Sequence, residues 1–332
     1  MAIPMTLPSG VNEFLDAAGW GGAKITPLAD DASFRRYFRV KAGARDAVLM
    51  DAPPPHEDPR PFIAVAEWLV REGFAAPRVF AKDLTLGLAL IDDFGDVRMR
   101  EAIDADARLE TSLYRDVVDL LLELHQRPAM ALATYDRATY HREVGLFSDW
   151  YCPALDLAVD TVGFMAAWDA VLSTVIDDPS PNVTVLRDYH AENIMLIDGE
   201  TPVARLGLLD FQDALAGHAA YDLVSVLQDA RRDVSPALEA EMLAYYQRHL
   251  PLSSRFEDCY HILGAQRNVK ILGIFTRLWK RDNKPHYRAF QPRVWRYLEH
   301  DLAHPALAPV CAWFDANVPA AKRAAAWRQY VD

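Results

Sequence analysis

Two short stretches of the chain hold the side chains best suited to chemistry: LRDYHAENIM at 186–195 and LGLLDFQDA at 206–214. In the first, Asp188 and Asn193 have the spacing D-x-x-x-x-N; in the second, Asp210 stands with Phe211 at the end of an apolar run. Transfer of a phosphoryl group asks little more of a protein than a carboxylate to orient and deprotonate the attacking hydroxyl, and oxygen ligands to hold magnesium against the phosphates. The spacing alone recurs by chance in any acidic chain and gains its specificity from the strand-end Asp-Phe that follows. Asp188 is the expected base, with Asn193 and Asp210 as the expected magnesium ligands. His190 lies inside the same loop; because the aspartate serves as base, the histidine either shapes the loop or touches the substrate.

The elements that must position these residues are legible from periodicity. Residues 25–51 alternate as strands do, in ITPLAD, FRRYFRV and AVLMDA, with KAGAR as the turn between the last two. Pro61 is placed to open a helix carrying Phe62, Val65, Ala66 and Leu69, which Gly73 stops. RVFAKD and LGLALIDDF supply two more strands. From about residue 104 helical spacing takes over, most plainly at 109–125, and it returns at 219–231, 236–249, 257–281 and 291–303. Between 183 and 211 three short apolar runs, TVLRDY, IMLI and ARLGLLDF, read as strands that bring Asp210 back beside the loop. The expected architecture is an α+β fold in two lobes: a small antiparallel sheet lobe over residues 1–95, and a larger, mainly helical lobe over 96–332 that carries catalysis and the acceptor.

Composition excludes several other kinds of protein. With 51% apolar residues, a chain of 332 residues can bury a substantial core. No apolar run reaches the length of a membrane span, and the opening residues MAIPMTLPSGVNEF lack a basic start and a hydrophobic signal core, so a cytoplasmic protein is expected. Cys152, Cys259 and Cys311 are odd in number and far apart, which fits small buried apolar residues better than disulfides or zinc. A net charge of −12 and a pI of about 5.3 argue against nucleic acid or an anionic membrane as partner, and no segment suggests an obligate protein partner. Any anion has to be caught by local charge.

On LRDYHAEN, LLDFQDA and Tyr221-Asp222-Leu223, with Asp30-Asp31-Ala32-Ser33 and Leu124-His125, the chain resembles the aminoglycoside phosphotransferase and choline kinase superfamily, whose fold is similar to that of protein kinases. The stretches DASFRRYFRV, VLMDAPP and YDLVSVLQDARRDV are similar in particular to the N-acetylmuramate/N-acetylglucosamine anomeric kinases of bacterial cell-wall recycling. The resemblance implies ATP and Mg2+ as cofactors, a small sugar as substrate and a sugar 1-phosphate as product. It also implies a nucleotide-phosphate loop at 30–33, where Ser33 adds a donor to the backbone N–H groups. Asp92 to Phe94 would form a connector whose backbone binds adenine while the carboxylates of Asp92 and Asp93 face solvent. Asp222 is expected to brace the catalytic loop.

The chain departs from the superfamily at three places. Met50 stands where a lysine usually clamps the ATP phosphates, the loop 30–33 has no glycine, and Gln212 replaces the glycine after Asp-Phe. Arg35 or Arg36 supplies the missing charge, whichever of them the strand register turns to the cleft. Glu67 is either the helix glutamate that pairs with such a lysine or a solvated helix residue. Along 257–281, Arg267, Lys270, Arg277 and Lys280 share one broad face, either solvated surface or the wall of an acceptor site that offers charge to a sugar acid. Trp150 and Trp279 pack either in the core or on a sugar face. The alternatives to an amino-sugar kinase are a phosphotransferase for another alcohol, such as choline or an aminoglycoside, and a non-catalytic nucleotide-binding protein.

Overall fold

The structure, a computed structural model, describes residues 6–28 and 35–331. The chain divides into two compact units, one of Met1–Leu109 with Glu192–Ala214 and the other of Glu110–Ala191 with Leu215–Asp332. This division differs from the boundary expected after residue 95: the first unit runs on through Leu109 and takes back the segment that carries Asn193 and Asp210.

The first unit is built on a five-stranded antiparallel sheet in the order β1-β2-β3-β5-β4, where β1 is Lys24–Pro27, β2 Arg36–Ala42, β3 Arg45–Asp51, β4 Val79–Asp83 and β5 Leu88–Ile91. Ala42 pairs with Arg45 across a two-residue turn whose Gly43 has φ 64, a conformation that glycine adopts without penalty. Phe38 and Val40 of β2, Ala47 and Leu49 of β3, and Leu88 and Leu90 of β5 form a core with Val11, Phe14 and Leu15 of the short helix Val11–Ala17. Because β3 is buried on both faces, its run AVLM is apolar throughout, and Met50 lies between Tyr37 and Ala89. The helix Arg60–Arg71 has Pro61 in its first turn, as expected, and gives way at Gly73, which has φ 92. The returning segment pairs Ile194–Leu196 with Leu206–Leu208. It is fastened by the Leu196 N–H to the Val97 carbonyl, by the Leu208 N–H to the Ala75 carbonyl, and by Phe211 stacking on Phe62 at 5.1 Å.

The second unit surrounds the helix Phe256–Lys280, in which residues 262–273 are all buried. A helix buried all round has neighbours on every side, here including Arg137–Leu146, Ala220–Leu227 and Gln291–Leu302. Gly273 permits a close approach, since a Cβ there would lie 2.4 Å from the Leu146 carbonyl carbon. Helices Glu110–His125, Thr161–Ile176, Pro236–His249 and Ala308–Asn317 and the ribbon of Val183–Val185 with Leu215–Gly217 belong to the same unit. The helix expected at 219–231 ends at Leu227, because the Asp229 carboxylate accepts from the Arg231 N–H at 2.8 Å, a local bond that competes with continued helix. Periodicity did not single out Thr161–Ile176, whose Thr161, Val162, Gly163, Thr174, Val175 and Ile176 are weak helix formers. No helix among the described residues is long and apolar enough to cross a membrane.

Candidate active site

Asp188 follows a turn that the second unit clamps from several sides. Arg187 has φ 72, and the Asp188 N–H closes back onto the Leu186 carbonyl at 2.9 Å, a three-residue turn that costs a non-glycine residue about 1–3 kcal/mol. Asp222, fully buried on Ala220–Leu227, holds the turn by accepting from the Leu186 N–H at 2.6 Å and the Arg187 N–H at 2.8 Å, while the Ser225 hydroxyl donates to the Arg187 carbonyl at 3.2 Å. Burial pushes the Asp222 carboxyl up to about 7 against the pull of those two N–H groups. The bracing role expected of Asp222 is thus its observed one. Farther along, the Tyr189 hydroxyl donates to the Val117 carbonyl at 2.8 Å and the Ala191 N–H to Asp229 at 3.2 Å. His190 is turned inward, 3% exposed, with Nε2 at 3.2 Å from an Arg231 guanidinium nitrogen. The Arg187 guanidinium reaches Glu143 and lies 5.6 Å from the Tyr135 ring centroid.

Asn193 and Asp210 belong to the first unit, so the loop from Asp188 passes from one unit to the other. The Leu209 N–H donates to the Asn193 carbonyl at 3.0 Å, which sets the two side chains together at the end of the ribbon. Asp210 has φ 58, a left-handed conformation that aspartate tolerates better than most residues. One of its carboxylate oxygens is 3.4 Å from the Asn193 amide nitrogen and the other accepts from Gln212 at 2.9 Å. Turning the Asn193 amide over presents its oxygen instead, so an exposed carboxylate and an amide oxygen converge. That donor set suits a hard divalent cation.

The same unit distinguishes the two arginines. Arg36 is committed to the buried Asp51 at 2.8 Å and to the Thr6 carbonyl at 3.0 Å. Arg35, 9% exposed, lies 3.4 Å from Glu57 and lines a cleft with Pro54, His56, Glu57, Gln212 and Asp213. Beside it, burial raises the Tyr37 hydroxyl; Arg35 opposes that rise and the charge of Asp210 adds to it, which places all three in one neighbourhood. Met50 is fully buried and offers no substitute cation. Glu67 pairs with Lys82 at 2.7 Å on the surface. The carboxylates of Asp92 and Asp93 do not simply face solvent: they are half-buried and bonded to Arg78 and Arg39, which leaves them to shape the connector. Phe94 packs on Gly207, where a Cβ would come within 2.6 Å of its ring. Ser33 and the rest of 30–33 lie outside the described residues.

The cations of the long helix do not form a solvated face. Arg267 and Lys270 are buried; Lys270 donates to the Tyr221 hydroxyl at 3.2 Å and sits 3.3 Å from Glu143. Arg277, two turns beyond Lys270 on the same side, is half-buried, and its burial together with Arg281 holds it below the usual arginine range. Trp279 lies under Lys280 and Arg288 and edge-on to Trp327, a packing role, and Trp150 is half-buried. Glu57, Glu143, Asp229 and Arg231 escaped the sequence reading, since each acquires its partner only through tertiary contacts.

A unit built on an antiparallel sheet and a mainly helical unit, in a chain that carries the D-x-x-x-x-N spacing and a strand-end Asp-Phe, define a kinase-like phosphotransferase. Residues 24–256 match the phosphotransferase enzyme family, and the chain belongs to it. Relatives from Caulobacter vibrioides and Pseudomonas aeruginosa, each named N-acetylmuramate/N-acetylglucosamine kinase, are 37% and 38% identical; the alignments cover 93% of this chain and 96% of the first, and 90% of this chain and 90% of the second. Among solved structures, a choline kinase of Streptococcus pneumoniae superposes with a TM-score of 0.62 at 12% identity, covering 89% of this chain and 98% of that one. A choline/ethanolamine kinase family protein of Mesorhizobium loti gives 0.61 at 17%, covering 91% and 97%. These two share the fold.

Proposed function

We propose that the chain transfers the γ-phosphoryl group of ATP to the anomeric hydroxyl of N-acetylmuramate and N-acetylglucosamine, giving the sugar 1-phosphate. The observation that carries this reading is the loop of Asp188 and Asn193 with the strand-end Asp210, in a chain aligned over nine tenths of its length with kinases named for those sugars. Asp188 accepts the hydroxyl proton as the sugar oxygen bonds to the γ-phosphorus; the bond from that phosphorus to the bridging oxygen breaks, and ADP leaves with the electron pair. Asn193 and Asp210 hold magnesium, which when bound neutralises charge on the phosphate oxygens. Arg35, near Asp210 and paired with Glu57, turns toward the phosphates in place of the lysine that Met50 displaces. Asp92 to Phe94 border the adenine, and the reaction belongs in the cytoplasm, where ATP is the phosphoryl donor.

A cationic acceptor such as choline calls for an acidic, aromatic-lined site. Around Asp188 the second unit instead gathers Arg187 and Lys270, which suits a neutral or anionic acceptor. Thermal shift with ATP and magnesium, followed by product analysis with amino sugars, choline and an aminoglycoside, tests the assignment. Phosphate transfer to choline or an aminoglycoside with none to the sugars, or no nucleotide binding at all, rules it out.

A further inference from the structure

Beneath the turn that carries Asp188 lies a buried carboxylate that the reaction above leaves without a task. Glu143, on Arg137–Leu146, is 6% exposed; it accepts from the Arg187 guanidinium, the Tyr135 hydroxyl and Gln266 at 3.0 Å, and pairs ionically with Lys270 at 3.3 Å. These come from the catalytic loop, from the segment before the Glu143 helix, and from the central helix. Burial alone would raise the Glu143 carboxyl, yet the charges of Lys270 and Arg187 together with the hydrogen bonds from Tyr135 and Gln266 outweigh it and hold the group below its usual range. Asp188 is close enough to act on both cations. Two cations therefore face two carboxylates, Glu143 and Asp188.

We propose that Glu143 is a positioning residue for Asp188: it holds Arg187 in its left-handed turn and balances Lys270, and so aims the base and sets how readily it takes a proton. The assignment rests on the phosphotransfer reading. Asp222 pins the backbone of the turn, and Glu143 pins the Arg187 side chain through its carboxylate. Without that anchor the strained φ of Arg187 can relax and carry the next residue with it. A displacement of about 1 Å at a reacting group is enough to cost roughly a hundredfold in rate. The charged and titratable groups facing this cluster are Arg187 and Asp188 on the loop, Asp222 and Tyr221 on Ala220–Leu227, Arg267 and Lys270 on the central helix, and Tyr135 and Tyr140 beside Glu143.

The experiment compares the wild type with Glu143→Gln, Lys270→Met and the double variant in kcat, KM and the acid limb of the pH profile. Glu143→Gln is expected to lower kcat roughly ten- to a hundredfold with KM for ATP within about twofold. Its acid limb should move down by about one pH unit, because two uncompensated cations favour ionised Asp188. Lys270→Met should move the limb up, and the double variant, with both charges gone, should bring it back toward the wild type and recover part of kcat. If Glu143→Gln does not fold, the upward shift in Lys270→Met carries the test. Folded single variants with unmoved acid limbs, or a kcat that falls only with the folded fraction, overturn the assignment. No transfer by the wild type to any acceptor sinks the phosphotransfer reading and this one with it, whereas wild-type transfer with indifferent variants sinks this one alone.

Discussion

At the scale of single residues, the reading makes three demands. Asp188→Asn should lower kcat by about 10²–10⁴-fold while leaving ATP affinity nearly intact, since the base acts on the acceptor hydroxyl; near-normal turnover in that variant would remove Asp188 from its role. Asp210→Ala should abolish the magnesium dependence of nucleotide binding as well as activity, and calorimetric titration of ATP with and without magnesium checks it. The third demand concerns the lactyl carboxylate by which N-acetylmuramate differs from N-acetylglucosamine. Of Arg267, Lys270 and Arg277, Lys270 is occupied by Glu143 and Arg267 is buried, so Arg277 is the one of the three best placed to meet an anion. Arg277→Ala should raise KM for the acid by about ten- to a hundredfold more than for the neutral sugar, the loss of a charge-assisted hydrogen bond of about 1.5–3 kcal/mol. Equal losses on both sugars would leave Arg277 with a packing role.

At the scale of elements, the strands and the helices differ in how far local sequence determines them. The strands of 24–51 and the helix opened by Pro61 were legible because alternation, glycine turns and proline placement are local signals. The choice between Arg35 and Arg36 was not, because it depends on where β2 begins and on the pairing of Arg36 with Asp51. Arg36→Ala should therefore cost about 1.5–3 kcal/mol of stability with little change in KM for ATP, while Arg35→Ala should raise that KM with a smaller change in stability. Chemical denaturation and steady-state kinetics on both variants separate the two roles. Glu143 was equally illegible: its anchor partner is 44 positions away, and its helix has no distinctive pattern. Gly273 ties that helix to the central one. Gly273→Ala should drive Leu146 outward, cost about 1–3 kcal/mol by overpacking and lower kcat, since Glu143 and Lys270 lie one turn from the contact. A variant with wild-type melting and turnover would show that the backbones have room to part.

At the scale of the whole molecule, stability depends on protons held inside. Burial pushes the Asp222 carboxyl from the ordinary 3.8 up to about 7 in the folded chain, so the native state keeps a proton that the unfolded chain releases as pH rises. Its contribution to stability is complete below about pH 4 and is lost as pH climbs through about 7. The wild type should therefore lose its stability advantage over Asp222→Asn across that window, with a slope no steeper than about 1.4 kcal/mol per pH unit. A gap that stays constant or widens rules out a protonated Asp222. The two-part architecture was legible as a sheet-rich half and a helical half, because hydrophobic periodicity changes along the chain. The return of Glu192–Ala214 to the first unit was not, since it depends on bonds to Ala75 and Val97, more than a hundred and about a hundred positions earlier. The helix Phe256–Lys280 has a consequence of its own. Its stretch 262–273 has no solvent-facing side, so its amides can reach deuterium only when the surrounding helices come apart. Exchange there should be the slowest in the chain and should report the global unfolding free energy, and Lys270 would then keep its orientation through every smaller opening.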